Sequence, residues 1–228
     1  MQLTSAVLLF TLPSFSILAP MIQGLSNRVH WRIIVPYWSI LGLLIALGGV
    51  TIVIIGGAPG PELIYGVLSI DSFSAYFTAV FLVIALLIGI ASVYYMRDNR
   101  NIDTYYSLLL LATFGMILVS FSVDLIVLFL AWELMNIPTY VLTGIQKEDP
   151  ISNEAALKFF ILSALSSALI VYGISLTFGI TGTTNIYAVA KGLSVALPKL
   201  DPLALLAMVL FIAGFGMKVA AVPFHMWI

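Results

Sequence analysis

The chain has 228 residues, 62% hydrophobic and only 8% charged. Nine Lys and Arg against ten Asp and Glu give a formal net charge of −1, so there is no basic footprint for nucleic acid. The absence of cysteine excludes disulfides, iron–sulfur clusters and thiolate metal sites. Soluble domains are about one-quarter charged and need a polar surface that this composition cannot supply, which also excludes disorder and leaves an integral membrane protein.

Long continuous apolar runs replace the alternation of barrel strands. They approach the ~20 residues a spanning helix needs and predict an all-α polytopic transmembrane helix bundle of about seven spans. The first run, Leu3–Leu25, lacks the basic start and small-residue cleavage site of a signal peptide and reads as a retained helix. The others are Ile33–Ile55, Phe73–Met96, Tyr105–Ser120, Leu125–Ile145, Ala155–Ile180 and Pro202–Val222. Loops after the first, third and fifth runs carry Arg28, Arg32, Arg97, Arg100 and Lys147, whereas the opposite loops hold Lys191 and Lys199. This asymmetry places the first set in the cytoplasm and the N-terminus outside. Between Thr181 and Asp201, the spacing of Ile186, Val189, Leu193 and Leu197 suggests a short amphipathic helix at the outer interface, with an ordinary ordered loop as the alternative. The ending PFHMWI has no polar tail and reads as an interruption, with the natural polypeptide continuing and the last span discontinuous and truncated.

Three charges fall inside spans: Glu133, Lys158 and Lys218. Each costs about 2.5–3.5 kcal/mol at the bilayer centre on the insertion scale, so such residues usually face the bundle interior and mark a polar pathway. Glu133 lies nine residues after Asp124, about 13 Å into the hydrocarbon. Pro138 frees the carbonyl of Leu134 beside it. The plainer alternative is a protonated glutamic acid that only joins helices. Lys158 follows Glu154 by four residues, so a helix pair snorkelling to the interface competes with a role in the pathway. Lys218, between Gly214, Gly216 and Pro223, predicts an irregular helix of the kind tolerated where backbone is buried or lines a watery cavity. A purely structural ion pair is its alternative. His225 can relay protons or cap a broken helix, while Asp71 and Asp124 read as helix caps. Carboxylates and amines without redox or metal partners suit proton transfer. No nucleophile–base pair, phosphate loop or metal cluster is visible.

Three stretches resemble a known family: LFLAWELMNIPTYVLTG at 128–144, EAALKFFILSALSSALIVYGISL at 154–176, and GFGMKVAAVPFHMWI at 214–228. They are similar to subunit N of the proton-pumping NADH:quinone oxidoreductases (complex I), to its archaeal F420H2 dehydrogenase relatives and, more broadly, to Mrp-type sodium/proton antiporters. The resemblance implies accessory helices over residues 1–100 and the first part of an antiporter-like repeat over 101–228. It also implies a proton relay of Glu133, Lys158, Lys218 and His225, with a discontinuous helix at Lys218. No cofactor is implied in this chain; flavin, iron–sulfur clusters and quinone belong to other subunits. The implied partners are other membrane subunits of a complex I-like assembly, antiporter-like paralogues included, in a prokaryotic plasma membrane. The family motif continues with a Pro-Asp pair after the tryptophan, so helix 8 and a second repeat are missing and the proton route is incomplete. An antiporter subunit is the rival reading, and a scaffold without pumping is a third.

Overall fold

A computed structural model of the chain describes residues 11–12, 14–19, 22, 31–56, 62–64, 66–97, 99–196, 201–222 and 224–225. Its described elements are α1 (Trp31–Ile55), β1 (Glu62–Ile64), β2 (Leu68–Ile70), α2 (Ser72–Tyr95), α3 (Ile102–Phe121), α4 (Leu125–Thr143), α5 (Pro150–Thr181), α6 (Ile186–Ala196) and α7 (Pro202–Lys218). Five helices, α1 to α5, are long and apolar enough to cross a membrane, while α6 and α7 are shorter. The chain is thus an all-α polytopic membrane bundle. Most of the first apolar run, Arg28 and Pro223 lie outside the described residues.

Local chemistry sets the helix starts. Asp71 forms a capping box with Ser74, accepting from the Ser74 amide at 2.8 Å while Ser74 Oγ accepts from the Asp71 amide at 2.9 Å. Asp124 accepts from the amides of Ile126 and Val127 at the start of α4. Asp149 does the same for α5 and is followed by Pro150 at the first helical position, so α5 begins five residues before the apolar run does.

The helices lie against one another in an order that exposes two ends. At one end, Asn101 donates to the carbonyl of Ile145, bringing together the loops that carry Arg97, Arg100 and Lys147. At the other end, the Val123 amide donates to Val67, the Leu125 amide to Thr184, and Thr184 Oγ1 to Asp124 Oδ2. A β1–β2 hairpin sits here, pairing Glu62 with Ile70 and Ile64 with Leu68. It turns at Gly66, whose φ of 73° is open to glycine at no steric cost. Hydropathy alone reads this stretch as a loop, because three-residue strands leave no periodic signal. The amphipathic spacing after Thr181 does form a helix, α6, with Val189 buried.

Two packing zones result. Leu12, Leu43, Ala46, Val50, Leu82, Ala85, Leu110, Ile117 and Phe121 form an apolar core among the N-terminal helices through α3. The second zone, α4 with α5 and α7, has few large buried side chains and instead buries Asn136, Ser163, Ser166 and Thr177. Gly115 joins the two: a Cβ there would lie 2.4 Å from the Met135 amide nitrogen, so α3 and α4 touch backbone to side-chain-free surface beside Glu133.

Candidate functional site

The charged site is a slot between α4 and α5. On α4, Glu133, Asn136 and Tyr140 follow at spacings of three and four and share one face. On α5, Phe159, Ser163 and Ser167 follow at fours and share another. The helices run in opposite directions, so the two stripes pair end to end. Tyr140 meets Phe159 edge-on with ring centroids 5.1 Å apart, and Ser167 Oγ donates to Glu133 Oε1 at 2.5 Å. Asn136 Nδ2 approaches the same carboxylate oxygen at 3.4 Å. One end of the slot is aromatic and the other acidic.

Lys218 enters this slot from α7. Its Nζ donates to Ser163 Oγ at 3.3 Å. It also lies 5.1 Å from the ring centroid of Phe159, 5.5 Å from Tyr140 and 5.9 Å from Trp132. Cation–π contacts are worth about 0.5–2 kcal/mol each, depending on desolvation. Three of them are of the same order as the roughly 2.5–3.5 kcal/mol that a lysine costs at a helix centre in the membrane. No contact ion pair joins Lys218 to Glu133; the ion pair found among the described residues is Lys158–Glu154. The Trp132 indole nitrogen is buried without a hydrogen-bond partner among the described residues.

The backbone places the lysine. α7 is pinned to α5 by Ser166 Oγ donating to the Gly214 carbonyl at 2.6 Å. Gly214 allows the approach, since a Cβ there would sit 2.5 Å from Ile170 Cγ1. One turn later α7 stops. Ala220 takes φ 52°, its amide reaches the Met217 carbonyl at 3.2 Å, and the Ala221 amide reaches Gly216 at 2.8 Å. These are the paired bonds of a Schellman end, with alanine where glycine is usual. Lys218 thus occupies the last turn, where the carbonyl end of the helix dipole favours a cation. α7 therefore ends at Lys218, within the stretch where the glycines and proline predict an irregular helix.

The four candidate relay residues separate. Glu133 and Lys218 share the slot. Lys158 lies on the outer face of α5, 59% exposed, with Nζ 2.5 Å from Glu154. His225 is exposed beyond the end of α7. The hydropathy reading passes over Ser163, Ser167, Asn136 and the three rings. The signal available was the spacing of Phe159, Ser163 and Ser167 at fours along one helix. Among the described residues no group of three or more His, Asp or Glu forms a metal-binding cluster.

A half-buried carboxylate and an ammonium are thus delivered by separate helices into one slot of a polytopic membrane bundle, the interior-facing placement expected of charges kept within apolar helices. Residues 122–228 match the NADH:quinone oxidoreductase/Mrp antiporter transmembrane family. The chain is 44% identical over 160 residues to F(420)H(2) dehydrogenase subunit N of Methanosarcina mazei, covering 70% of this chain and 32% of the relative. It is 44% identical over 166 residues to NADH-quinone oxidoreductase subunit N 1 of Koribacter versatilis, covering 71% and 32%. Among solved structures it is similar to a chain of respiratory complex I from Thermus thermophilus. That match has TM-score 0.76 and 30% identity, over 96% of this chain and 45% of the other. A chain of the archaeal membrane-bound sulfane sulfur reductase shares the fold, with TM-score 0.79, 22% identity and coverage of 100% and 47%. The chain spans about a third of the length of the first two relatives.

Proposed function

We propose that this chain is part of a proton-translocating membrane subunit of a complex I-like NADH or F420H2:quinone oxidoreductase. It performs no electron transfer itself; flavin, iron–sulfur clusters and quinone would be held by other subunits. Neighbouring antiporter-like and smaller membrane subunits are its expected partners, in a prokaryotic plasma membrane with the N-terminus outside. The observation that carries this reading is Glu133 held by Ser167 in the same slot that receives Lys218. A cation brought close favours a carboxylate over its acid, and one withdrawn favours proton uptake. Withdrawal of the ammonium from Glu133 would therefore load a proton, and its return would release it. Lys158, on the outer face of α5, and His225, beyond the end of α7, would exchange protons with the outer parts of the path.

The test is Glu133→Gln in the assembled complex. The amide keeps volume and hydrogen bonding but does not titrate. Proton pumping in sealed vesicles should fall at least tenfold, with quinone reduction falling alongside where coupling is tight; Glu133→Asp should keep part of the activity. Pumping at the wild-type proton-to-electron ratio would reject the reading. A second reading, a sodium/proton antiporter subunit, draws on the family's joint description. It predicts sodium-driven proton exchange by membranes that contain no redox arm.

A further inference from the structure

We propose that Phe159, Tyr140 and Trp132, together with Ser163, form a resting cradle for the Lys218 ammonium, and that proton transfer works by the lysine leaving this cradle for Glu133. This rests on the reading of Glu133 and Lys218 as coupled proton carriers and names the positioning residues that make the coupling switchable.

The slot holds the cation in one place and a carboxylate in another. The ammonium lies 5.1 Å from the Phe159 centroid and 5.5 Å from Tyr140 at the aromatic end, 3.3 Å from Ser163 Oγ, with Trp132, the chain neighbour of Glu133, 5.9 Å away. The carboxylate is held at the acidic end by Ser167 and Asn136, not by the lysine. Both ends lie on the same pair of helical stripes. Tyr140 and Glu133 are two turns apart on α4, about 10 Å along the axis, and Ser163 stands one turn from Ser167 on α5. A lysine has a flexible four-carbon stem and anchors in the last turn of α7, where the backbone leaves the helix through Ala220. Swinging along the slot exchanges ring faces for a carboxylate without dragging a helix. Rings attract the cation without accepting its proton, so the cradle stabilises an ammonium that Glu133 is not neutralising. A lysine without it would stay on the carboxylate, and Glu133 would stay ionised. A two-state element needs both states to be comparable in free energy, and the rings provide the second.

Phe159 and Tyr140 test this from two helices. The measurements are the proton-to-electron ratio of the assembled complex in sealed vesicles and the redox-triggered infrared band of protonated Glu133, assigned by its loss in Glu133→Gln. Phe159→Leu keeps an apolar side chain of similar bulk but removes the ring. We expect it to lower the ratio about two- to fivefold and to shrink the carboxyl band. Phe159→Tyr, which restores a ring, should recover both. Tyr140→Leu should act like Phe159→Leu and decides the matter if the latter does not assemble. Leu variants that keep the wild-type ratio and band overturn the cradle. So does a loss that Phe159→Tyr does not repair, because a packing defect then suffices. If Glu133→Gln pumps normally, the parent reading fails instead, whatever the ring variants do.

Discussion

The two packing zones use their buried hydroxyls differently. In the N-terminal zone, the hydroxyls of Ser39, Thr78, Ser92 and Thr113 donate to carbonyls four residues earlier in their own helices. Helices are crosslinked there by two tyrosines: Tyr106 donates to the Gly89 carbonyl at 2.8 Å, and Tyr105 shares a 2.7 Å bond with Ser92. In the α4–α5–α7 zone, Ser163, Ser166 and Ser167 reach across to Lys218, Gly214 and Glu133. A hydroxyl satisfied by its own helix is cheap to keep in lipid. A hydroxyl spent on a neighbour's charge leaves that charge usable. The first zone is built to hold shape, the second to hold charge.

The sharpest way to break this contrast is at the lysines. Lys218→Met keeps length and apolarity and should lower vesicle pumping at least tenfold. Lys158→Met, which removes an exposed pair with Glu154, should cost less because a solvent-facing helix pair contributes little. Equal losses from both would mean that exposure in this chain is no guide to the relay. Next in size is the seam between the zones. Gly115→Ala pushes a methyl to 2.4 Å from the Met135 amide nitrogen, and overpacking of this kind costs about 1–3 kcal/mol. The expected result is a lower melting temperature of the purified complex together with reduced pumping per assembled complex, since the shift falls beside Glu133.

Smaller effects sharpen the same line. Tyr106→Phe deletes one buried bond in the shape-holding zone and should destabilise by about 0.5–1.5 kcal/mol. Its proton-to-electron ratio should match the wild type; a changed ratio would show that charge transfer extends into α3. Ala220→Gly relieves a left-handed alanine that costs about 1 kcal/mol, partly offset by the greater entropy of an unfolded glycine. Thermal stability should rise slightly or hold, measured on the same purified complex.

Much of this was legible in the chain. Hydrocarbon has no water to satisfy a backbone, so long apolar runs had to become helices, and Asp71 and Asp124 standing before such runs had to become caps. Glu133 and Lys218 stood out because charge inside an apolar run is costly to keep. The end of α7 at Lys218 falls in the stretch that two glycines and a proline marked as irregular. The extra turns at the starts of α3 and α5 were hidden because polar first turns look like loops to a hydropathy reading. The hairpin at Glu62–Ile70 was hidden by its brevity.

The sequence by itself determined the class of protein, the helices and the identity of the membrane-embedded charges, because each depends on transfer from water to hydrocarbon, a property of single residues and short windows. Only the tertiary structure decided which charges meet. Phe159, Ser163 and Ser167 become a rail only when α4 runs antiparallel beside them and matches ring to ring and serine to carboxylate. Lys158 lies on the same helix as Ser163, only five residues away, yet falls on the other side of it. Helical periodicity allows both faces to be polar; the packing of α7 through Gly214 and Ser166 selects the one that receives the second charge.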